Sequence, residues 1–273
     1  MTGTDRCHSL RDRMVVFAYK TGYAIAKVLP GRVAHVASVA AGAVMAPLMR
    51  NKRRMLERHL LRVMPSIDPR ELKRTSRRAL ASYARYYIES FRLPRLDAGR
   101  VDRTFTVDGF DHVTDALAEG NGVILALPHL GGWEWAGRWM TDRGHPLTVV
   151  VEPLQPPALF EWFASLRIKL GMNVVPLGPT VAVEVSAALR RNEIVCLLCD
   201  RDIQRTGSKV SLFGEDTTLP SGPALMSLRT GAALLPVGVY FTDEIDGHKA
   251  VVRPPLTTAT TGKLRADVVA LTQ

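Results

Sequence analysis

The 273-residue chain is poor in cysteine, with only Cys7, Cys196 and Cys199. Disulfide-stapled secreted domains contain many more, so the sequence indicates a reducing compartment and a fold held together by its core. The chain is 47% hydrophobic and 23% charged, which is the composition of a globular protein and excludes disorder and fibrous repeats. At about 150 residues per domain, its length fits one large domain or two modest ones.

Long apolar runs are also missing. The longest stretch without Lys, Arg, Asp or Glu is Val33–Met49, and it includes Gly42 and Pro47. Because a spanning helix needs about 20 strongly apolar residues, we interpret this stretch as a helix that lies on a membrane surface or packs against the domain. No secretory signal is predicted, since Lys20 and Lys27 interrupt the apolar residues that follow the first arginines.

Acidic residues are scarce in the first 100 residues, which hold 21 Lys and Arg but only 7 Asp and Glu; the other 173 hold 15 and 19. A basic N-terminal third predicts a polyanionic partner: nucleic acid, an anionic membrane or a phosphorylated substrate. From Arg50 onward, basic residues alternate with apolar ones at helical spacing, which favours a membrane surface, although a solvated helix face has the same pattern. Nucleic acid is disfavoured, because zinc-ligand, RNP-like and helix-turn-helix patterns are missing.

No metal site is predicted from the sequence. The seven histidines show no paired ligand spacing. Cys196 and Cys199 form a C-x-x-C pair, but this pair lies within an apolar strand and has no second pair to complete a zinc site. We interpret both cysteines as buried free thiols.

A helix with one aromatic stripe is predicted to end before Pro94 and to pack on the rest of the chain or border a lipid groove. The stripe consists of Leu80, Tyr83, Ala84, Tyr87 and Phe91. From about residue 101, short apolar runs alternate with helical segments, which is typical of βαβ units around a mostly parallel sheet. The predicted strands are Gly122–Leu127, Leu147–Val151, Asn173–Leu177, Ile194–Cys199, Val210–Phe213, Leu234–Phe241 and Ala250–Arg253. The predicted helices are Trp133–Arg143, Leu159–Leu170, Val181–Arg190 and Gly222–Thr230.

We therefore predict an α/β fold in residues 101–273, with a mostly parallel or mixed central sheet flanked by helices. Residues 1–100 are predicted to form a basic helical region that associates with a membrane and packs on this core. The sequence ends in Leu264–Gln273, which has the pattern of the start of a helix. We therefore expect that a C-terminal helical end is missing.

His129 follows the first predicted strand of the core, where functional groups collect in such sheets, and Gly131, Gly132 and Glu134 come next. An imidazole can act as a general base near neutral pH. A carboxylate five residues later can accept the other ring N–H and fix the tautomer. By spacing alone, a structural histidine and a glutamate at a helix N-terminus explain the same pattern.

Leu127–Glu134 resembles the His-x4-Asp/Glu motif of the glycerolipid and lysophospholipid acyltransferase superfamily. It is most similar to the bacterial lipid A biosynthesis acyltransferase branch, which includes the phosphatidylinositol mannoside acyltransferases of actinobacteria. Further blocks agree in the same order: Val151–Leu154 with Arg167, Cys199–Asp202 with Leu212–Glu215, and Pro220–Ala224 with Thr230–Ala232. The chain departs from the family at Leu212, where the family has phenylalanine.

The resemblance implies a membrane-associated O-acyltransferase that works without a cofactor or metal. It would transfer a long acyl chain from acyl-CoA, or from an acyl carrier protein, to a sugar hydroxyl of an anionic glycolipid, most closely a mannose of phosphatidylinositol mannoside. A lipid A acyltransferase that transfers lauroyl or myristoyl groups, and a non-catalytic membrane-binding protein of the same fold, remain as alternatives. The expected location is the cytoplasmic face of the plasma membrane, as a peripheral or monotopic protein.

The resemblance also implies roles for individual residues. His129 would be the general base and Glu134 its orienting carboxylate, with backbone N–H groups near Gly131 and Gly132 as oxyanion donors. Arg167 would bind a phosphate of the donor or the headgroup, or form a surface ion pair. The remaining candidates for substrate binding are Glu152, Asp200, Arg201, Asp202 and Glu215. Of these, Asp200, Asp202 or Glu215 would bind the acceptor sugar hydroxyls or assist His129, and the sequence does not choose among the three. Asp200 and Asp202 have the alternative of capping a loop.

Overall fold

The computed structural model describes residues 9–257 and 260–273, so Cys7 lies outside the described residues. The described part of the chain holds eleven α-helices and nine strands. The helices are α1 Leu10–Ala26, α2 Gly31–Leu48, α3 Arg50–Val63, α4 Pro69–Arg92, α5 Ala98–Arg103, α6 Asp111–Ala118, α7 Trp133–Asp142, α8 Pro157–Lys169, α9 Val181–Arg190, α10 Gly222–Thr230 and α11 Leu264–Thr272. The strands are β1 Phe105–Asp108, β2 Val123–Leu127, β3 Leu147–Val151, β4 Asn173–Pro176, β5 Ile194–Leu198, β6 Ser208–Leu212, β7 Glu215–Leu219, β8 Ala233–Phe241 and β9 His248–Val252.

Seven strands form one sheet in the order β1-β9-β8-β2-β5-β3-β4. All neighbours in this sheet are parallel except β8 and β9, and β6 and β7 form a separate antiparallel hairpin. The predicted α/β fold with a mostly parallel sheet flanked by helices is therefore confirmed. The sequence reasoning missed β1 and β7, because β1 is only four residues long and β7 is a polar, solvent-exposed strand.

The centre of the sheet is buried on both faces. In β2, the consecutive residues Val123, Ile124 and Leu125 are all buried, since helices cover both sides of the sheet. Parallel strands in this position have continuous apolar sequences, which is why they are recognisable. β2 and β5 pair in register, with Leu127 opposite Leu198. The segments that follow β2 and β5 therefore leave the sheet side by side at its carboxyl edge.

Small residues allow α2 to pack closely on α4. A Cβ at Gly42 would lie 2.6 Å from the Cβ of Ala81 and 2.8 Å from the backbone oxygen of Arg77, so the two helices are too close there for any side chain. The buried residues of α2 recur at every fourth position: Ala34, Ser38, Gly42 and Ala46. Its opposite face exposes Val33, Val36, Val39, Val44 and Leu48. Within residues 9–257 and 260–273, α2 is the one helix long and apolar enough to cross a bilayer by length and composition.

The helix α4 anchors the N-terminal helices to the core. Arg85 donates hydrogen bonds to the backbone oxygens of Thr242, Glu244 and Gly247 in the turn between β8 and β9, and Arg92 bonds the Asp246 carboxylate in the same turn. At its other face, α4 contributes Phe91 and Tyr87 of the predicted aromatic stripe to a cluster with α1 and α8. Tyr83, in contrast, is exposed, since no α1 or α8 side chain of that cluster covers it.

Candidate active site

The His129 imidazole lies next to a carboxylate, but not the one predicted. His129 follows β2 and Asp200 follows β5, each two residues beyond the paired Leu127 and Leu198. The imidazole Nδ1 is 2.7 Å from Asp200 Oδ1, and the two side chains are 43% and 33% exposed. Burial alone would raise the pKa of Asp200, but the hydrogen bond and charge of His129 outweigh it and lower that pKa. An ionised carboxylate only accepts, so in this contact Nδ1 is the donor, and Nε2 is the ring nitrogen that Asp200 does not engage.

Glu134 does not make the hydrogen bond to His129 that the motif spacing predicts. It is the second residue of α7, and its side chain turns into the interior, where it is 6% exposed. One carboxylate oxygen accepts from the Tyr86 hydroxyl at 2.7 Å and from Arg167 Nη2 at 2.9 Å, and the other accepts from Ser90 at 3.4 Å. Both Glu134 oxygens therefore have partners on α4 and α8, and the carboxylate that contacts the imidazole in the structure is Asp200. The orienting role of Glu134 stays a prediction.

Arg167, on α8, is buried rather than lying on the helix surface. Burial by itself lowers the pKa of its guanidinium, but the charge of Glu134 and the nearby Tyr86 outweigh burial, and the net shift is upward. The guanidinium lies 4.8 Å from the ring centre of Trp133 and 5.7 Å from that of Phe163. Arg167 therefore ties α8 to the start of α7 through its ion pair with Glu134 and its contact with the ring of Trp133, whereas Phe163 belongs to α8 itself. The Arg167 side chain is 13% exposed and paired with Glu134, and its predicted contact with a phosphate stays a prediction.

The turn between His129 and α7 requires its two glycines. Gly131 has a φ of +60°, and a Cβ there would lie 2.3 Å from the backbone oxygen of Val239. A Cβ at Gly132 would lie 2.4 Å from Nε2 of His248, which is buried beneath the turn. The backbone can therefore pack directly on β8 and β9. The N–H group of Trp135 donates to the Gly132 carbonyl at 2.9 Å, and the role of the N–H groups near Gly131 and Gly132 as oxyanion donors stays a prediction.

An apolar cavity of about 550 Å³ borders the His129–Asp200 pair. Chain neighbours of both residues line it, namely Pro128, Leu130 and Cys199. Further lining comes from apolar side chains such as Leu219, Leu234 and Val237. Its volume is within the range of about 300–1,000 Å³ that is typical of small-ligand sites. The His129 and Asp200 side chains are not part of its lining, so the cavity lies beside the pair and is reached through their chain neighbours.

The other predicted substrate-binding residues are dispersed around this edge. Glu152 directly follows β3 and is half-buried, and Arg201 is exposed next to Asp200. Asp202 shapes its own loop: a hydrogen bond from Thr218 and the backbone N–H groups of Gly207 and Thr206 lower its pKa. The contacts of Asp202 therefore agree with the alternative that this residue caps its own loop.

Glu215 lies away from the histidine. It occupies the tip of the β6–β7 hairpin, opposite Leu212, and its carboxylate is 3.2 Å from Arg62 of α3. The expectation that it assists His129 is therefore not met by its contacts. In the described part of the chain, the carboxylate bonded to that imidazole is Asp200.

The two cysteines of the C-x-x-C pair are free thiols in the structure. Cys196 is fully buried in β5, whereas Cys199 is only partly buried, because it already lies past the end of the strand. Burial raises the pKa of Cys196 to about 12, and burial with the charge of Asp200 raises that of Cys199 to about 11. Among the described residues, no group of three His, Cys, Asp or Glu side chains could hold a metal ion.

Sequence reasoning missed Tyr86 and Ser90 of α4 as partners of Glu134. They precede it by 48 and 44 residues, so local spacing contains no signal for them. A signal for the His129–Asp200 contact does exist: each residue stands two positions beyond an apolar five-residue strand.

Comparison with known proteins identifies the family of this chain. The sequence profile of one family, bacterial lipid A biosynthesis acyltransferase, matches residues 2–273. The chain is 43% identical over 224 residues to the phosphatidylinositol mannoside acyltransferase of Mycolicibacterium smegmatis, covering 80% of this chain and 70% of that protein. It is 41% identical over 226 residues to the protein of the same name from Mycobacterium tuberculosis, covering 80% and 68%.

A more distant relative comes from the lipid A branch. The lipid A biosynthesis palmitoleoyltransferase of Escherichia coli is 23% identical over 217 residues, which cover 79% of this chain and 70% of that protein. The resemblance predicted from the motifs is thus confirmed. The chain belongs to the bacterial lipid A biosynthesis acyltransferase family and is an acyltransferase.

Proposed function

We propose that this acyltransferase transfers a long acyl chain from acyl-CoA to a mannose hydroxyl of a phosphatidylinositol mannoside. The observation that carries the proposal is the contact between His129 Nδ1 and Asp200 at the mouth of an apolar cavity. The choice of acceptor is supported by the names of the relatives that are 41% and 43% identical to this chain.

The chemistry follows from the protonation of the pair. Nε2 of His129 takes the proton of the acceptor hydroxyl as its oxygen attacks the thioester carbonyl, and Asp200 stabilises the imidazolium that forms. A C–O bond forms to the acceptor oxygen as the C–S bond of the thioester breaks, so the acyl group moves from sulfur to oxygen. The imidazolium then gives its proton to the leaving thiolate. Such proton transfer contributes typically about 10²–10⁴-fold to the rate.

The remaining groups position the reactants. The developing oxyanion would accept hydrogen bonds from backbone N–H groups at the start of α7, near Gly131 and Gly132. The acyl chain would lie in the apolar cavity past Pro128 and Leu130. Glu134 and Arg167 hold α7 and α8 together beneath this turn and act as positioning residues.

A membrane surface is the proposed location of the reaction, on the cytoplasmic face of the plasma membrane. The apolar face of α2 and the exposed Leu10, Met14 and Phe17 of α1 offer contact with lipid. The helix α3 has no buried residue and carries six Lys and Arg against one Glu, which suits an anionic leaflet. Peripheral attachment agrees with α2 packing on α4 through its small residues.

The direct test offers the purified protein a choice of acceptors. It is incubated with palmitoyl-CoA, a panel of mannosylated phosphoinositides and a panel of lipid A precursors, and products are identified by mass spectrometry. We expect acylation of the mannosylated phosphoinositides only. Acylation of the lipid A precursors instead would assign the other branch of the family, and no product with either panel would reject the proposal.

A further inference from the structure

The β6–β7 hairpin projects from the carboxyl edge of the sheet and ends in apolar residues. Every residue from Ser211 to Thr217 is exposed, so the outer half of the hairpin contacts little of the body. At its tip, Leu212 is 46% and Phe213 is 66% exposed. Two adjacent large apolar side chains are therefore presented to the surroundings at the end of a protruding element.

The backbone of the tip is strained at Phe213, so the exposed position of its side chain costs conformational free energy. Phe213 and Gly214 are the two residues between the paired Leu212 and Glu215, and their φ angles are +52° and +78°. A two-residue turn with two positive φ angles favours Asn-Gly, and a bulky side chain is strained at its first position. Phe213 does not gain burial in return. Strain of this kind, at an exposed side chain, points to a function rather than to folding.

The surroundings of the tip indicate what it contacts. Glu215 joins the hairpin to Arg62 in the last turn of α3. That end of α3 also exposes apolar side chains, at Leu61, Val63 and Met64, and the rest of the helix is basic. An apolar tip with a basic flank is complementary to an anionic lipid layer, whose headgroups are charged and whose interior is apolar. The hairpin also carries the exposed Asp216, so its own contribution is apolar rather than electrostatic.

The base of the hairpin connects this tip to the candidate active site. Ser208 and Leu219 pair at the base, and Leu219 and Pro220 line the cavity beside His129 and Asp200. Exposed apolar side chains also follow the neighbouring strands at this edge, at Leu130, Leu154 and Ile203. Exposed apolar residues thus follow the strands at the edge of the sheet where the hairpin begins and where the cavity lies.

We infer that the Leu212–Phe213 tip inserts into the lipid layer and holds the mouth of the cavity against the membrane surface. This inference rests on the proposed function, because that function makes the acceptor a membrane lipid. It adds a second lipid contact to that of α1–α3, at the edge that carries His129. The occupant is an anionic bilayer, and the tip reaches its headgroup and upper acyl region.

Insertion is tested directly with a tryptophan at the tip. Phe213→Trp is mixed with phosphatidylcholine vesicles that contain phosphatidylinositol, with and without brominated acyl chains. We expect its emission, after subtraction of the native signal, to shift to the blue and to be quenched by the brominated lipid. The matched control is Ile168→Trp, which replaces a 59% exposed side chain in the last turn of α8, and it should show neither change. Equal or absent quenching in both variants would overturn the inference.

A second variant separates insertion from folding. Phe213→Asn provides the residue that this turn prefers, so the thermal midpoint should stay the same or rise. Loss of the apolar ring that would insert into the lipid should weaken vesicle partitioning by roughly tenfold or more. Ile168→Asn should stay within about twofold of the native chain. Unchanged partitioning of Phe213→Asn, or a change in its oligomeric state instead, would overturn the inference.

Neither readout uses acyl transfer, so the two proposals fail separately. A native chain that inserts its tip but acylates no acceptor would reject the proposed function alone. A chain that acylates mannosylated phosphoinositides with an unquenched tip would reject this inference alone.

Discussion

At the scale of single residues, Asp200 and Asp202 form a natural comparison because they share one loop and one chemistry. Asp200 bonds the imidazole, whereas Asp202 accepts from the backbone of its own loop. We expect Asp200→Asn to lower kcat by about 10²–10⁴-fold, because the imidazolium loses its counter-charge. Asp202→Asn should stay within severalfold of the native rate. Steady-state kinetics with matched thermal unfolding curves measures this, and equal losses in both variants would contradict the assignment.

Glu134 and Arg167 lead to a prediction about stability. Their side chains are 6% and 13% exposed, and removal of one partner leaves the other charge buried. Glu134→Gln and Arg167→Met should each lower the free energy of unfolding by about 3–5 kcal/mol. The double variant should lose clearly less than the sum, because the two residues interact. Urea unfolding measures all three. The exposed pair of Glu71 and Arg74 serves as the control. Additive losses would show that the ion pair of Glu134 and Arg167 contributes nothing.

The two thiols of the core should react slowly in the folded protein. With a pKa of about 11 for Cys199 and about 12 for Cys196, about a thousandth or less of each is thiolate at pH 8. Alkylation by iodoacetamide should therefore be at least about a hundredfold slower than after unfolding, and it should accelerate as the pH rises toward 10. Site-resolved mass spectrometry measures both rates. Fast labelling of Cys199 at pH 8 would show an activated thiol instead.

The residues of the site differ in how far the sequence predicts them. His129 is recognisable because it stands at the exit of a buried strand in a motif with two glycines. Its partner is not, because two carboxylates compete and the nearer one in sequence, Glu134, lies inside α7 and faces the interior. Choosing Asp200 requires knowing that β5 lies next to β2, which residue spacing does not contain.

At the scale of elements, the packing of α2 on α4 depends on Gly42. Gly42→Val would drive its side chain into Ala81 and the backbone of Arg77, so the helices must separate. We expect a loss of about 1–3 kcal/mol in the free energy of unfolding, with weakened vesicle binding as α2 shifts. Ala43→Val, one position along and exposed, is the matched control. Denaturant unfolding that shows equal stability for the two variants would contradict the close packing.

Elements with one clear apolar period were predictable. The helices α9 and α10 have the predicted bounds, because a regular apolar face and a flanking Gly or Pro mark them. β7 was missed since its residues Glu-Asp-Thr-Thr-Leu bury no face, and only its pairing with β6 makes it a strand. Local apolar runs thus predict the buried strands. An exposed strand such as β7 forms only through pairing with its neighbour, which its own sequence does not indicate.

At the scale of the whole molecule, charge asymmetry predicts how the protein meets a membrane. Arg54 and Arg58 are exposed on α3, whereas Arg190 and Arg191 are exposed at the end of α9, next to the start of β5. Replacement of the first pair by glutamine should weaken binding to anionic vesicles by roughly tenfold or more, and high salt should weaken it further. Replacement of the second pair should not. Vesicle co-sedimentation measures this, and equal effects would indicate that only net charge matters.

The overall architecture was predictable to the level of class and sheet type, because alternating strands and helices restrict the chain to few topologies. The strand order was not predictable, because it joins strands that are distant in sequence. The anchoring of α4 to the β8–β9 turn by Arg85 was not either, since it joins residues more than 150 positions apart. The division at residue 100 remains a prediction. The α4 arginines bridge the two regions that it separates.

The central claim is that His129 is the base that activates the acceptor hydroxyl. The most direct test is the rate at which His129→Ala transfers a palmitoyl group from palmitoyl-CoA to a mannosylated phosphoinositide in vesicles, followed by mass spectrometry together with vesicle binding. We expect transfer to fall by at least about 10²–10⁴-fold while vesicle binding and the unfolding curve stay as in the native chain. Transfer near the native rate, or joint loss of transfer, binding and folding, would contradict the account and make His129 a structural residue.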